Sequence, residues 1–277
     1  MKTILIPTDF SKNAFVAAEY GCALAAATGQ NVLLLHVYIA LYSGYKEEGE
    51  SVKQIKWVEQ QSAKDMESIV KTLKTQFPDV SIEGEYLKGF MIDLVSQKLK
   101  DPSISMVVMG TKGVSNVAES ILGSTTYEVI KKSPVPVLVV PMDTADFTLA
   151  RAGFFTDYKD SELDALQVFN QVIPVGPKLS VVHFFTDPEK QSEAEKSRSR
   201  WERKISAAFP DNDFVVRAMQ VAKVDINAVR EAADTERLDL LVFARTHRSF
   251  FHSIFAQSLT KAVAGYTASV PSMFIRA

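Results

Sequence analysis

Short apolar runs alternate along this chain with longer segments of helical period. The runs TILIPT (3–8), NVLLLHVY (31–38), VSIEGEYL (80–87), ISMVVMG (104–110) and VPVLVVP (135–141) have the length of strands, and Pro141 closes the last because proline cannot donate to a ladder. Between them, Ser11 reads as the N-cap of a helix to about Thr28 with Gly29 as its stop, and further helices are predicted over 51–77, 91–100 and 125–133. Such alternation predicts βαβ units and a parallel sheet covered on both faces.

The same order then starts again. FFTDYKDSELDAL (154–166) reprises IPTDFSKNAFVAA, with Thr156 and Asp157 in the places of Thr8 and Asp9. LSVVHFF (179–185) reprises LLLHVY, DLLVFARTH (239–247) reprises SMVVMGTKG, and VPSMFIRA (270–277) reprises VPVLVVP. The offset is about 148 at the first two pairs and about 134 at the last two, which indicates one duplicated domain and not a solenoid of short repeats. The predicted domains are residues 1–145 and 150–277, with the seam near MDTADFTLAR. YSGYKEEGES (42–51) and TDPEKQSEAEKSRSR (186–200) occupy matching places; the first reads as a polar loop, the second by its alternating charge as a solvated helix face.

Composition narrows the function classes. The 277 residues are 47% hydrophobic and 23% charged, enough for a substantial core in two domains. A net charge of −2 and a pI near 6.1 give no general attraction to nucleic acid or anionic lipid. The single cysteine, Cys22, sits in an apolar run and reads as a buried structural thiol. The start MKTILIPTDF is too short in apolar residues for a signal peptide, and no run reaches a spanning length, so the cytoplasm is the expected location.

The chemistry gathers at MGTKGVSNVAESILGSTT (109–126). In an open parallel sheet, ligands sit beyond the carboxyl ends of strands where the strand order reverses, and PTDF, HVY and MGTKG all follow strands in that way. Glycine at Gly110 and Gly113 permits positive φ and a close approach of N–H groups to an anion; Gly123 and Ser124 precede a helix whose first turn favours negative charge. Ser124, Thr125 and Thr126 add hydroxyl donors, and Lys112 offers a countercharge. Neither a Walker loop nor a dinucleotide fingerprint is present.

PTDFS, LLHV and VVMGTKG followed after nine residues by GSTTYEVIKKSPVPVLVVP together resemble the universal stress protein family, and the duplicated order is similar to its tandem members. The resemblance implies an α/β fold of two doubly wound, Rossmann-like domains, each with five parallel strands in the order 3-2-1-4-5. It implies bound ATP, with Mg2+ or Mn2+ beside the triphosphate. Asp9 and the backbone at Val37 would face the adenosine part with Pro7 and Thr8 beside it, while Gly110, Gly113, Gly123, Ser124 and Thr125 hold ribose and phosphates, flanked by Met109 and Lys112. It also suggests that the apolar edges VPVLVVP and VPSMFIR pair between domains or protomers, giving an intramolecular pseudo-dimer or a homodimer.

The second copy departs from this pattern: Ala244, His247 and Gln257 fill the glycine places, and Ser258 alone remains of the Gly-Ser pair. That domain is therefore expected not to hold ATP in the family's manner, although Arg245, His247 and Arg248 form a cationic stretch that an anion could meet. Asp9 reads as a ligand contact in preference to a helix cap, and Asp157 as a cap. His36 and His183 read as strand-end packing, His247 and His252 as surface residues, and Trp57 and Trp201 as packing or partner surface in equivalent long helices. No nucleophile elbow, Cys–His pair or paired carboxylate emerges, so no catalytic residue and no metal-ligating side chain is assigned. A nucleotide-responsive regulator with an unknown protein partner, a slow ATPase or nucleotide transferase, and a nucleotide-free scaffold remain open.

Overall fold

A computed structural model describes residues 1–39, 48–111, 123–245 and 270–277, with side chains described from residue 53 in the second stretch. The apolar runs become strands because both faces of the sheet are covered: β1 (Thr3–Thr8), β2 (Asn31–Tyr38), β3 (Ile82–Lys88), β4 (Ile104–Gly110) and β5 (Val137–Val140) in the first half. The helices between them are α1 (Lys12–Thr28), α2 (Glu48–Gln76), α3 (Met91–Lys98) and α4 (Ser124–Lys132). The second half contributes β6 (Arg151–Phe155), α5 (Ser161–Val172), β7 (Lys178–Phe185), α6 (Gln191–Ala208), β8 (Phe214–Gln220), α7 (Ile226–Glu236), β9 (Leu240–Arg245) and β10 (Ser272–Arg276).

Local chemistry sets several of these boundaries. Ser11 Oγ accepts the Ala14 N–H as the N-cap of α1, and Gly29 ends that helix at φ 67°, where a side chain would be strained. β3 starts two residues later than its apolar run because Val80 N–H closes a turn on Phe77 O. The charged stretch after β7 is helical: Asp187 caps a short 3-10 turn over Pro188–Lys190, and α6 follows directly. In the predicted loop at 42–51, residues 42–47 lie outside the described residues, while α2 already begins at Glu48.

The ten strands among the described residues form one sheet in the order β3-β2-β1-β4-β5-β10-β9-β6-β7-β8. Each half therefore runs 3-2-1-4-5 in its own numbering, and pairing within each half is parallel. The two apolar edges meet in an antiparallel seam, with Val139 opposite Ser272 and Val137 opposite Phe274. A twofold-like relation between equivalent halves produces that arrangement and removes two exposed edges at once. Side chains of α1, α2, α5 and α6 pack on one face of the sheet, and those of α3, α4 and α7 on the other.

Candidate functional site

The sheet's strand order reverses at β1 in the first half, between β2 on one side and β4 on the other. β1 pairs with β2 as far as Thr8 opposite His36, so Val37 stands one residue beyond the last pair. Leu5 lies opposite Val107 of β4, and carrying that register forward sets Thr8 beside Gly110. Pro7, Thr8, Val37, Met109 and Gly110 thus share the carboxyl ends of three adjacent strands, with Asp9 just past β1.

The turn after β1 is built by its own side chains. Thr8, almost fully buried, accepts the Phe10 N–H on its hydroxyl at 3.1 Å, and Asp9 Oδ1 accepts the Ser11 N–H at 3.0 Å. Asp9 therefore orders the turn, the role that the sequence ranked second. Phe10 sits at φ 61°, an uncommon conformation for a bulky residue, and its ring lies 4.3 Å from the His36 imidazole. His36 Nδ1 is 2.9 Å from the Thr8 carbonyl. This histidine is consumed in holding the turn.

Across the crevice, Gly110 does not adopt the positive φ expected of it; among the described glycines only Gly29, Gly89 and Gly176 do. Its reason is close approach. A Cβ at Gly110 would overlap the amide of Asn13 on α1, 2.8 Å from Cγ and 3.0 Å from the Asn13 carbonyl oxygen. The loop is tied to α4 by two bonds: Gly123 N–H donates to Thr111 O at 2.8 Å, and Thr126 Oγ1 donates to Gly110 O at 3.1 Å. Thr126 is buried, so its hydroxyl supports the site and does not face a ligand. Ser124 and Thr125 are exposed at the first turn of α4, which among the described residues has no side-chain cap and no acidic residue. Lys112 and Gly113 lie outside the described residues. Asn13 and Phe10 were not singled out by sequence reasoning; the repeated Thr-Asp-aromatic step after the first strand of each half is the signal that could have found Phe10.

The family model for the universal stress protein family matches residues 1–141. The chain belongs to the universal stress protein family. Relatives of this family include Universal stress protein MJ0577 of Methanocaldococcus jannaschii, 29% identical over 152 residues, spanning 50% of this chain and 94% of that protein. Universal stress protein Sll1654 of Synechocystis is 31% identical over 141 residues, spanning 50% of this chain and 85% of the relative. A universal stress protein structure from Archaeoglobus fulgidus superposes over 99% of this chain and 96% of its own, with TM-score 0.66 at 17% identity, so the likeness of fold runs through both halves.

The second half of this universal stress protein repeats the β1 turn and fills it differently. Tyr158 takes φ 60°, its N–H donates to Thr156 Oγ1 at 2.8 Å, its ring lies 4.5 Å from His183, and His183 Nδ1 is 2.9 Å from Thr156 O. Asp157 pairs with Lys159 at 3.2 Å and does not cap α5, contrary to expectation. Glu162 takes that part from inside: its Oε2 accepts the Thr156 hydroxyl at 2.6 Å and the N–H groups of Asp157 and Lys159 at 3.0 and 3.1 Å. Glu162 is fully buried, and its carboxyl is raised above the usual range chiefly by burial, opposed by the Thr156 bond and aided by the Asp157 charge. An internal carboxyl group thus takes the Lys159 N–H, whose first-half counterpart, the Ser11 N–H, is accepted by Asp9.

Arg245 also departs from expectation. Its guanidinium turns to the first half and donates to the carbonyls of Ile130 and Ser133, so it is not offered to an anion in the second crevice. Ala244 is buried at the end of β9, while His247, Arg248, His252, Gln257 and Ser258 lie outside the described residues. Trp201 is buried against Tyr158, with ring centroids 5.5 Å apart, whereas Trp57 is 64% exposed. Cys22 is buried, and burial pushes its thiol up to about 12. Among the described residues no group of three His, Cys, Asp or Glu side chains is placed to hold a metal ion, and no helix is long and apolar enough to cross a membrane.

Proposed function

We propose that the first half binds ATP and that occupancy biases a conformation or an interaction of the whole chain in a stress response. Residues 1–145 act as the nucleotide domain and 150–277 as a degenerate copy. Pro7, Thr8, Asp9 and Val37 face the adenosine part; Met109, Gly110, Lys112, Gly113, Gly123, Ser124 and Thr125 hold ribose and phosphates. A divalent cation, Mg2+ or Mn2+, neutralises the triphosphate when bound and is held by its oxygens, as no protein carboxylate cluster is assigned to it. The protein acts in the cytoplasm, as a pseudo-dimer of its own halves or as a homodimer of chains.

The first turn of α4, without a side-chain cap or an acid among the described residues and fastened to the switch point through Gly110 and Thr111, is the observation that supports this reading most. Nucleotide stabilises whichever state aligns that turn, and shifts an equilibrium only by its differential affinity. Among the described residues no general base is assigned at the site, and nucleotide binding is the function proposed.

The test is mass analysis of nucleotide released when the purified full chain is denatured, followed by titration of the emptied protein with ATP. About one adenine nucleotide per chain is expected, with saturable binding that Ser124→Glu abolishes by setting a carboxylate at the first turn. Absence of bound nucleotide together with no saturable binding at millimolar ATP would refute the function. Binding indifferent to Ser124→Glu would refute its location.

A further inference from the structure

Helix α4 is held at both ends. Its first turn is fastened to the strand ends of the first half, as described above. Its last turn exposes carbonyls that no intrahelical N–H can reach, and two of the carbonyls at this end, those of Ile130 and Ser133, accept from Arg245 at the end of β9, the Ser133 bond at 2.9 Å. Residue separation along the chain exceeds one hundred at both bonds. The guanidinium is half-buried, and among the described residues no carboxylate pairs with it. Its charge is answered instead by the negative end of a helix dipole. Arg276, its neighbour across the β9–β10 ladder, adds a second positive charge, so the pairing with α4 is made against like-charge repulsion and burial.

The residue of the first half in the place of Arg245 is Thr111, a buried threonine whose N–H donates to Val140 O and whose carbonyl accepts from Gly123. It has no cation to send across the seam.

We propose that Arg245 is a positioning residue through which the second half holds α4 of the first, so that the first-turn N–H groups stand ready for phosphate. The inference rests on the ATP-binding reading for its consequence, though not for the contact itself. On this view the degenerate half is retained for what it does to its twin's site.

The experiment uses the full chain with Arg245→Met and Arg245→Lys. Amide hydrogen exchange without nucleotide reads α4 against α1, calorimetry reads the ATP dissociation constant, and urea midpoints fix conditions under which every variant is folded. Arg245→Met is expected to speed exchange in α4 roughly three- to tenfold relative to α1 and to raise the ATP dissociation constant by a similar factor, with Arg245→Lys intermediate. An unchanged dissociation constant overturns the proposal, as does exchange that rises equally in α1 and α4, which signals general loosening. Should the wild-type chain itself bind no ATP, the proposed function fails, and exchange alone decides whether the clamp exists. If the methionine variant does not fold, the lysine variant carries the same comparison.

Discussion

The turns after β1 and β6 share a backbone and differ in their filling. Both hold an aromatic residue at positive φ, Phe10 or Tyr158, over a histidine whose Nδ1 meets a threonine carbonyl. In the first half short side chains satisfy the turn from its own rim, and α1 continues with Ala14. In the second, Glu162 occupies the place of Ala14 and threads a carboxylate into the turn. The difference teaches that the donors of a duplicated turn can be taken by one internal carboxyl group, and donors spent on Glu162 are not available to a ligand.

The long helices sharpen the same contrast and carry the largest expected effect. Trp201 of α6 lies 1% exposed on Tyr158 and so seals the second turn, while Trp57 of α2 is left in solvent. Trp201→Ala should lower unfolding free energy by about 3–5 kcal/mol, against less than about 0.5 kcal/mol for Trp57→Ala. Urea denaturation read by circular dichroism measures both. Equal effects would mean that the two helices serve their halves alike. Among the described residues the buried indole N–H of Trp201 has no hydrogen-bond partner, so Trp201→Phe should cost much less than the alanine change.

Next in size is Glu162. Replacing it with alanine strands the Asp157 and Lys159 N–H groups and should cost about 2–3 kcal/mol. Its pH dependence has a definite sign. Burial raises the folded pKa, so this group's contribution is complete below the ordinary carboxylate range and is lost as pH rises through the folded value. The wild-type chain should therefore gain stability relative to Glu162→Gln as pH falls from neutral toward 5, read as urea midpoints. A constant difference across that range would show that Glu162 is not the titrating group that closes the turn.

Much of the framework could be read from residue patterns, because burial on both faces writes apolar runs that only buried parallel strands need. β1, β2 and β4 coincide with their runs, and Ser11 and Gly29 bound α1 through side-chain and φ requirements that are local. Glu162 and Arg245 were not legible in the same way. An acid in a first helical turn reads as an ordinary complement to the dipole, and an arginine at a strand end reads as surface charge. What each does depends on partners reached by folding: an adjacent turn for Glu162, a helix more than one hundred residues earlier for Arg245. Gly110 was singled out for a phosphate's sake and the structure gives it a packing reason, so a proposed role and an observed one meet in one residue.

That double role supports the smallest of these effects. Gly110→Ala sets a Cβ against the Asn13 side chain and 3.0 Å from its carbonyl oxygen, so α1 must shift or the amide must leave. A cost of about 1–2 kcal/mol is expected, the range of mild overpacking. The second half carries Ser161 and Ala244 at these two places, a smaller helix residue facing a larger strand residue. Combining Asn13→Ser with Gly110→Ala recreates that pair in the first half and should recover at least half of the lost stability, a coupling that a double-mutant cycle isolates. If stability returns while ATP affinity does not, the glycine serves the ligand as well as the helix. If both return, packing against α1 is the whole reason for Gly110, and the two halves differ at this position only in how they divide one volume between helix and strand.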